Sequence, residues 1–157
     1  MIRDKKESRS YVVHVDALAK KPNQLRMDFS TPVGIELGYF VLNNNKVTYY
    51  LAQKKKKRTV KANARSLRPL IKTDLDPHLL VNMLFDEEPQ GKSWKCERDK
   101  KGFLKKCNNT NKKISLEWLK RQNTQRAIQI ETRSARIQLS LKGFRPKVEM
   151  PEKNFQL

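Results

Sequence analysis

In stretch after stretch of this chain, apolar and polar residues alternate with a period of two. That period marks extended strands with one wet and one dry face. Tyr11, Val13 and Val15 alternate with Ser10, His14 and Asp16, although Val12 interrupts the polar side. Leu25, Met27 and Phe29 alternate with Arg26 and Asp28, and Ile35, Leu37, Tyr39 and Val41 are read as one face of a longer strand. Val47, Tyr49 and Leu51 follow the Asn43-Asn44-Asn45 turn, where asparagine tolerates the left-handed backbone of a tight hairpin. The pattern returns late, in Ile114, Leu116 and Trp118, in Ile128 and Ile130, and in Ile137, Leu139 and Leu141. One-sided alternation with short turns predicts antiparallel strands paired as a meander.

Between Ser66 and Phe85 the period of two is lost. Asp76 supplies an N-cap acceptor, and Pro77 lacks only an N–H that the first helical position does not use. Leu79, Leu80, Met83 and Leu84 then form a single apolar stripe, and Pro89 and Gly91 close the helical region. A shorter helical turn is expected over Ser66–Ile71. The chain therefore reads as mainly β with minor α: one strongly curved antiparallel sheet with a short helical segment across it. Its 157 residues suit a single domain with a real core.

Charge speaks to partners. Lys and Arg total 35 against 16 Asp and Glu, for a net charge of +19. Nucleic acid, anionic headgroups and acidic surfaces are the partners such a balance favours, beside the plainer reading that solvated positions here are simply lysine-rich. Lys54-Lys55-Lys56-Lys57-Arg58 reads as a solvated hairpin tip able to meet anionic headgroups or a partner. Arg98, Lys100, Lys101, Lys105 and Lys106 form a second basic cluster, and Trp94, Phe103 and Tyr50 are the aromatics placed to accompany such charges. No apolar run is long enough to span a membrane as a helix. The first residues, Met1 to Glu7, contain no apolar core of a signal peptide, which predicts a cytosolic protein or a mature or trimmed form.

Chemistry-bearing motifs are scarce. His14 and His78 have no carboxylate or nucleophile at a recognisable spacing, and Glu87-Glu88 sits in a solvated loop at a helix end. Nucleophile-elbow, phosphate-loop, dinucleotide and zinc patterns do not occur. The expectation is a protein that is not an enzyme and uses no metal or cofactor. Cys96 and Cys107 flank Asp99-Lys100-Lys101-Gly102. With Lys101-Gly102 as a two-residue loop they would face each other across a hairpin, either as a disulfide, which favours an oxidising compartment, or as two reduced thiols. Ideal two-residue registry would make theirs a hydrogen-bonded pair, so a shifted register is the alternative.

The order of these features resembles the periplasmic lipoprotein-localisation proteins, the LolA-like carriers and LolB-like receptors. The matching stretch runs from Leu25-Arg26-Met27-Asp28-Phe29 through Thr31-Pro32-Val33-Gly34 to Gly38-Tyr39-Phe40-Val41-Leu42. It continues through the asparagine turn to Val47-Thr48-Tyr49-Tyr50-Leu51, then Leu75-Asp76-Pro77-His78-Leu79-Leu80, and the closing strands to Pro151 and Phe155. The resemblance implies an unclosed β-barrel whose concave apolar face is covered by helices and holds the acyl chains of a lipoprotein or lipid. Applied to this chain, it makes Leu25, Met27, Phe29, Leu37, Tyr39, Val41, Tyr49, Leu116, Trp118, Ile130, Ile137 and Leu139 the lining, with Leu80 and Met83 in the lid. It also implies a place in the periplasm, free or at the outer membrane, and a domain lacking the family's first strand, helix and signal or anchor; a monomer is expected. Two other readings stay open: a basic nucleic-acid-binding β-barrel module, and a structural component of an envelope complex.

Overall fold

The computed structural model describes residues 1–5, 8–122, 124–143, 145 and 151–155. Lys6 and Glu7 of the N-terminal segment lie outside the described residues. The protein is mainly β with short helices, and every strand pairing is antiparallel. The strands are divided between two sheets instead of running through one, and neither sheet closes into a barrel among the described residues. Two compact units result, one made of Met1–Tyr11 and Asn82–Val148, the other of Val12–Val81 and Glu149–Leu157.

One unit contains β3 (His14–Lys20), β4 (Gln24–Ser30), β5 (Glu36–Asn43), β6 (Lys46–Leu51) and β7 (Lys56–Lys61), a five-stranded meander in chain order. The predicted asparagine turn joins β5 to β6: Asn43 pairs with Lys46, and Asn44 takes the left-handed conformation at φ 52°. Helix α1 (Arg68–Ile71) follows, as the Ser66–Ile71 segment predicts. Helix α2 (Pro77–Leu84) begins where the Asp-Pro pair places it. Asp76 Oδ1 accepts the His78 backbone N–H at 3.0 Å and lies 2.7 Å from His78 Nδ1, while His78 Nε2 lies 3.1 Å from the Asn44 carbonyl. A C-terminal 3-10 turn, Glu152–Phe155, belongs to the same unit.

The other unit contains β1 (Ile2–Asp4), β2 (Arg9–Tyr11), β8 (Trp94–Arg98), β9 (Leu104–Asn109), β10 (Ile114–Gln122), β11 (Gln125–Glu131) and β12 (Ala135–Leu141). Strands β8 to β12 form a second meander, and β1 adds to β12 by pairing Ile2 with Ile137, giving the order β2-β1-β12-β11-β10-β9-β8. The segment read as one strand from Ser10 to Asp16 is therefore two: β2 ends at Tyr11, β3 starts at His14, and they serve different sheets. Val12, the residue that interrupts the alternation, lies in the break and is exposed.

Opposed residues in an antiparallel pair share a face, so the register identifies the core of this sheet. Leu116 stands between Cys107 and Ile130, Trp118 faces Ile128, and Ile130 faces Ile137. Leu116 and Ile130 are fully buried. The indole N–H of Trp118 donates to the Met83 carbonyl at 3.2 Å, satisfying the polar tip of a buried ring. The reverse face is polar: Gln138 donates to Gln129 at 2.8 Å, and Glu131 accepts from Lys5 Nζ at 2.7 Å and from Arg136 at 3.2 Å.

Hydrogen bonds first from Lys5 and then from Arg136 hold the Glu131 carboxyl below its ordinary 4.5, against the opposing effect of burial. A depressed carboxylate adds stability above its unfolded value and loses it as pH falls through its folded value. We therefore expect Glu131→Gln to be less stable than wild type at pH 7 by no more than about 1 kcal/mol, since the groups are a third exposed. Denaturant titrations should show that difference shrinking progressively as pH falls below 4.5; a difference that persists unchanged at pH 3 contradicts this account.

Candidate functional site

Of the residues that the sequence assigns to an apolar lining, Leu116, Trp118, Ile130, Ile137 and Leu139 share one face of the seven-stranded sheet, in register. All but the half-buried Leu139 are buried. Leu25, Met27 and Phe29 share one face of the five-stranded sheet with Tyr49. Leu80 and Met83 are buried on α2, at 6% and 1% exposure.

Leu37, Tyr39 and Val41 are a correction. Leu25 pairs with Leu42, Met27 with Phe40 and Phe29 with Gly38, so the even-numbered residues of β5 share the face of Leu25, Met27 and Phe29. Tyr39 and Val41 therefore point to the opposite face. The physical reason is that Leu37 to Leu42 is apolar at both parities, so alternation there selects no side, and only pairing decides. A bulge beside Phe29 and Ser30 skips Leu37 altogether, which is 40% exposed, and Ile35 precedes the strand at 64% exposed.

That opposite face has a character of its own. The Tyr39 and Tyr50 rings stack at 5.4 Å, and the Arg26 guanidinium sits 5.5 Å from the Tyr39 ring centre. Arg26 donates to both carboxylate oxygens of Asp28 at 2.8 Å, which raises the guanidinium further above its ordinary value. Lys57 stands opposite Tyr50. Further along, a hollow of about 570 Å³ is lined by Val41, Asn43, Asn44, Asn45, Lys46, Thr48, Thr59 and Phe155. Asn43 Nδ2 donates to the Phe155 carbonyl at 3.2 Å, and the Thr48 and Thr59 hydroxyls are hydrogen-bonded at 2.9 Å. Its amide and hydroxyl lining suits a polar ligand better than an acyl chain. Sequence reading missed this face because Arg26, Tyr39, Val41 and Thr48 are brought together only by register.

The Lys54–Arg58 run is exposed throughout, but it is only partly a tip. Lys54 ends a 3-10 turn, Lys55 is left-handed at φ 48°, and Lys56, Lys57 and Arg58 open β7. The second basic cluster surrounds the β8–β9 hairpin. There the two-residue loop is replaced by a turn over Asp99–Phe103, in which Asp99 Oδ1 accepts the N–H groups of Lys101 and Phe103. A bulge between Glu97 and Arg98 restores direct opposition of Cys96 and Cys107. Their Cα atoms are 4.1 Å apart, the narrow spacing of a non-hydrogen-bonded pair, and a disulfide joins them. The bulge is the shifted register that removes the objection to a cross-strand disulfide.

No protein-family model matches this sequence, and no curated protein matches it.

Proposed function

We propose that the protein is a non-catalytic carrier or receptor that binds the acyl chains of lipoproteins or lipids in the periplasm, as its resemblance to the LolA-like and LolB-like proteins implies. The observation that carries this reading is a continuous row of buried apolar side chains, in register, on one face of each sheet. Leu25, Met27, Phe40, Leu42, Val47 and Tyr49 line one such face, and Leu116, Trp118, Ile128, Ile130, Ile137 and Leu139 the other. An acyl chain meeting such surface gains about 0.8 kcal/mol for each CH₂ it buries. The Cys96–Cys107 disulfide fits an oxidising compartment. The exposed Val33, Ile35 and Leu37 fit a protein that meets apolar partners.

Native mass spectrometry of protein purified without detergent, followed by organic extraction, tests the reading. An acylated species should accompany the wild-type protein and be depleted in a folded Leu139→Glu variant. Protein that carries no acylated species and takes none up from added lipid contradicts it. A second reading, a nucleic-acid-binding module, is favoured by the Arg26–Tyr39–Tyr50–Lys57 row on the polar face. It predicts co-purifying oligonucleotide that leaves in high salt.

A further inference from the structure

The β8–β9 hairpin is the basic tip at which an exposed aromatic side chain accompanies the cations. Phe103 is 48% exposed, whereas no large apolar side chain of the Lys54–Arg58 run is. The Arg121 guanidinium, 5.4 Å from the ring centre, covers one side of Phe103, and its Nη2 donates to Asp86 at 2.8 Å.

The tip is also rigid. Asp99 fixes the turn through the Lys101 and Phe103 N–H groups, and its backbone N–H donates to the Phe103 carbonyl at 2.8 Å. Arg98 Nη1 donates to the Gly102 carbonyl at 2.8 Å, and the disulfide clamps the base of the hairpin. Two of the nearby carboxylates are engaged, Asp99 in the turn and Glu88 with Arg98 at 2.6 Å, while Glu97 on β8 is exposed among the surrounding cations. Lys100, Lys101 and Lys105 are exposed and make no ion pair with a described residue.

We propose that this hairpin docks the protein on an anionic lipid bilayer, with Phe103 entering the boundary between headgroups and acyl chains and Lys100, Lys101 and Lys105 facing the headgroup phosphates. An exposed turn that carries one apolar ring among lysines suits a flat, charged surface with an apolar interior. A nucleic-acid strand calls instead for a groove with successive open rings, and one side of this ring is already taken. The docking is independent of the acyl-binding reading, because it needs no cargo.

Co-flotation of the full chain with vesicles tests it. Binding should be strong to phosphatidylcholine vesicles containing one-third phosphatidylglycerol, weak to pure phosphatidylcholine, and reduced by high salt. Each lysine near an anionic surface multiplies partitioning about fivefold, so Lys100→Gln, Lys101→Gln and Lys105→Gln together should weaken binding roughly a hundredfold. Phe103→Ser should weaken it several-fold even in low salt, while the same number of Gln changes at Lys54, Lys56 and Lys57 serves as a charge-matched control. All these positions are exposed, and a retained disulfide with an unchanged circular dichroism spectrum verifies folding. Equal binding to neutral and anionic vesicles, or a hairpin variant no weaker than the control, overturns the proposal. So does failure to bind vesicles alongside salt-sensitive binding of an oligonucleotide. Lack of acyl cargo with intact vesicle docking removes the carrier reading alone.

Discussion

Leu116→Ala is expected to lower the unfolding free energy by about 3–4 kcal/mol, the upper part of the range for a buried leucine. Leu116 is fully buried on β10, an inner strand of the seven-stranded sheet, with Cys107 opposite it on one side and Ile130 on the other. Neither neighbour is free to fill the vacancy: Cys107 is tied to Cys96, and Ile130 is held between β10 and β12. A leucine-sized void therefore stays largely open, and the cost includes its lost contacts as well as its transfer from water. In a chain of this size such a loss lowers the melting temperature by roughly 10 °C. Leu37→Ala is the paired control, expected to change stability by no more than about 0.5 kcal/mol because the bulge leaves Leu37 outside the ladder. Chemical denaturation of both variants checks the assignment. Equal effects would place Leu37 in a core and remove the register on which the two faces of β5 rest.

Gly38→Ala should be comparably damaging for a different reason. A Cβ at this position would lie 2.1 Å from the Tyr50 carbonyl oxygen, which is backbone and has no rotamer through which to withdraw. Gly38 also has φ +145°, a conformation that side-chain-bearing residues rarely adopt. Strain and overpacking together suggest a cost of about 3 kcal/mol. The damage should be local to the bulged end of β4, β5 and β6. Hydrogen exchange should show lost protection at Tyr39, Phe40 and Leu51, with β10 to β12 unaffected. A variant as stable as wild type would mean that the strands separate here at little cost.

Strand character was legible wherever polar residues enforced the alternation. Gln129 and Glu131 against Ile128 and Ile130, or Arg136 and Gln138 against Ile137 and Leu139, admit only one dry face, and the structure has that face. The start of α2 was legible because Asp76 and Pro77 have few other uses in sequence. The asparagine turn was legible from backbone chemistry. What could not be read was everything decided between strands. Nothing in the composition of Leu37 to Leu42 signals that Arg26 and Asp28 stand opposite Val41 and Tyr39, which puts those two on the far face, or that the bulge beside Phe29 drops Leu37 from the ladder. The division into two sheets was hidden for a similar reason. Val13 and Val15 continue the parity of Tyr11, so only the exposed Val12 marks where the chain leaves one sheet for the other. The cysteine pairing was half visible: the opposition of residues 96 and 107 follows from counting, but its spacing depends on an irregularity between Glu97 and Arg98.

The placement of β7 at the margin of its sheet has one more consequence. A marginal strand presents unpaired N–H and C=O groups, a template on which another chain can extend the sheet. Six residues here, Lys-Lys-Arg-Thr-Val-Lys, carry four positive charges along that margin. Two copies approaching margin to margin would bring these cations into opposition, whether the strands ran parallel or antiparallel. The lysines that look like a lure for anions thus also guard against uncontrolled polymerisation, which matters for a chain rich in alternating, aggregation-competent segments.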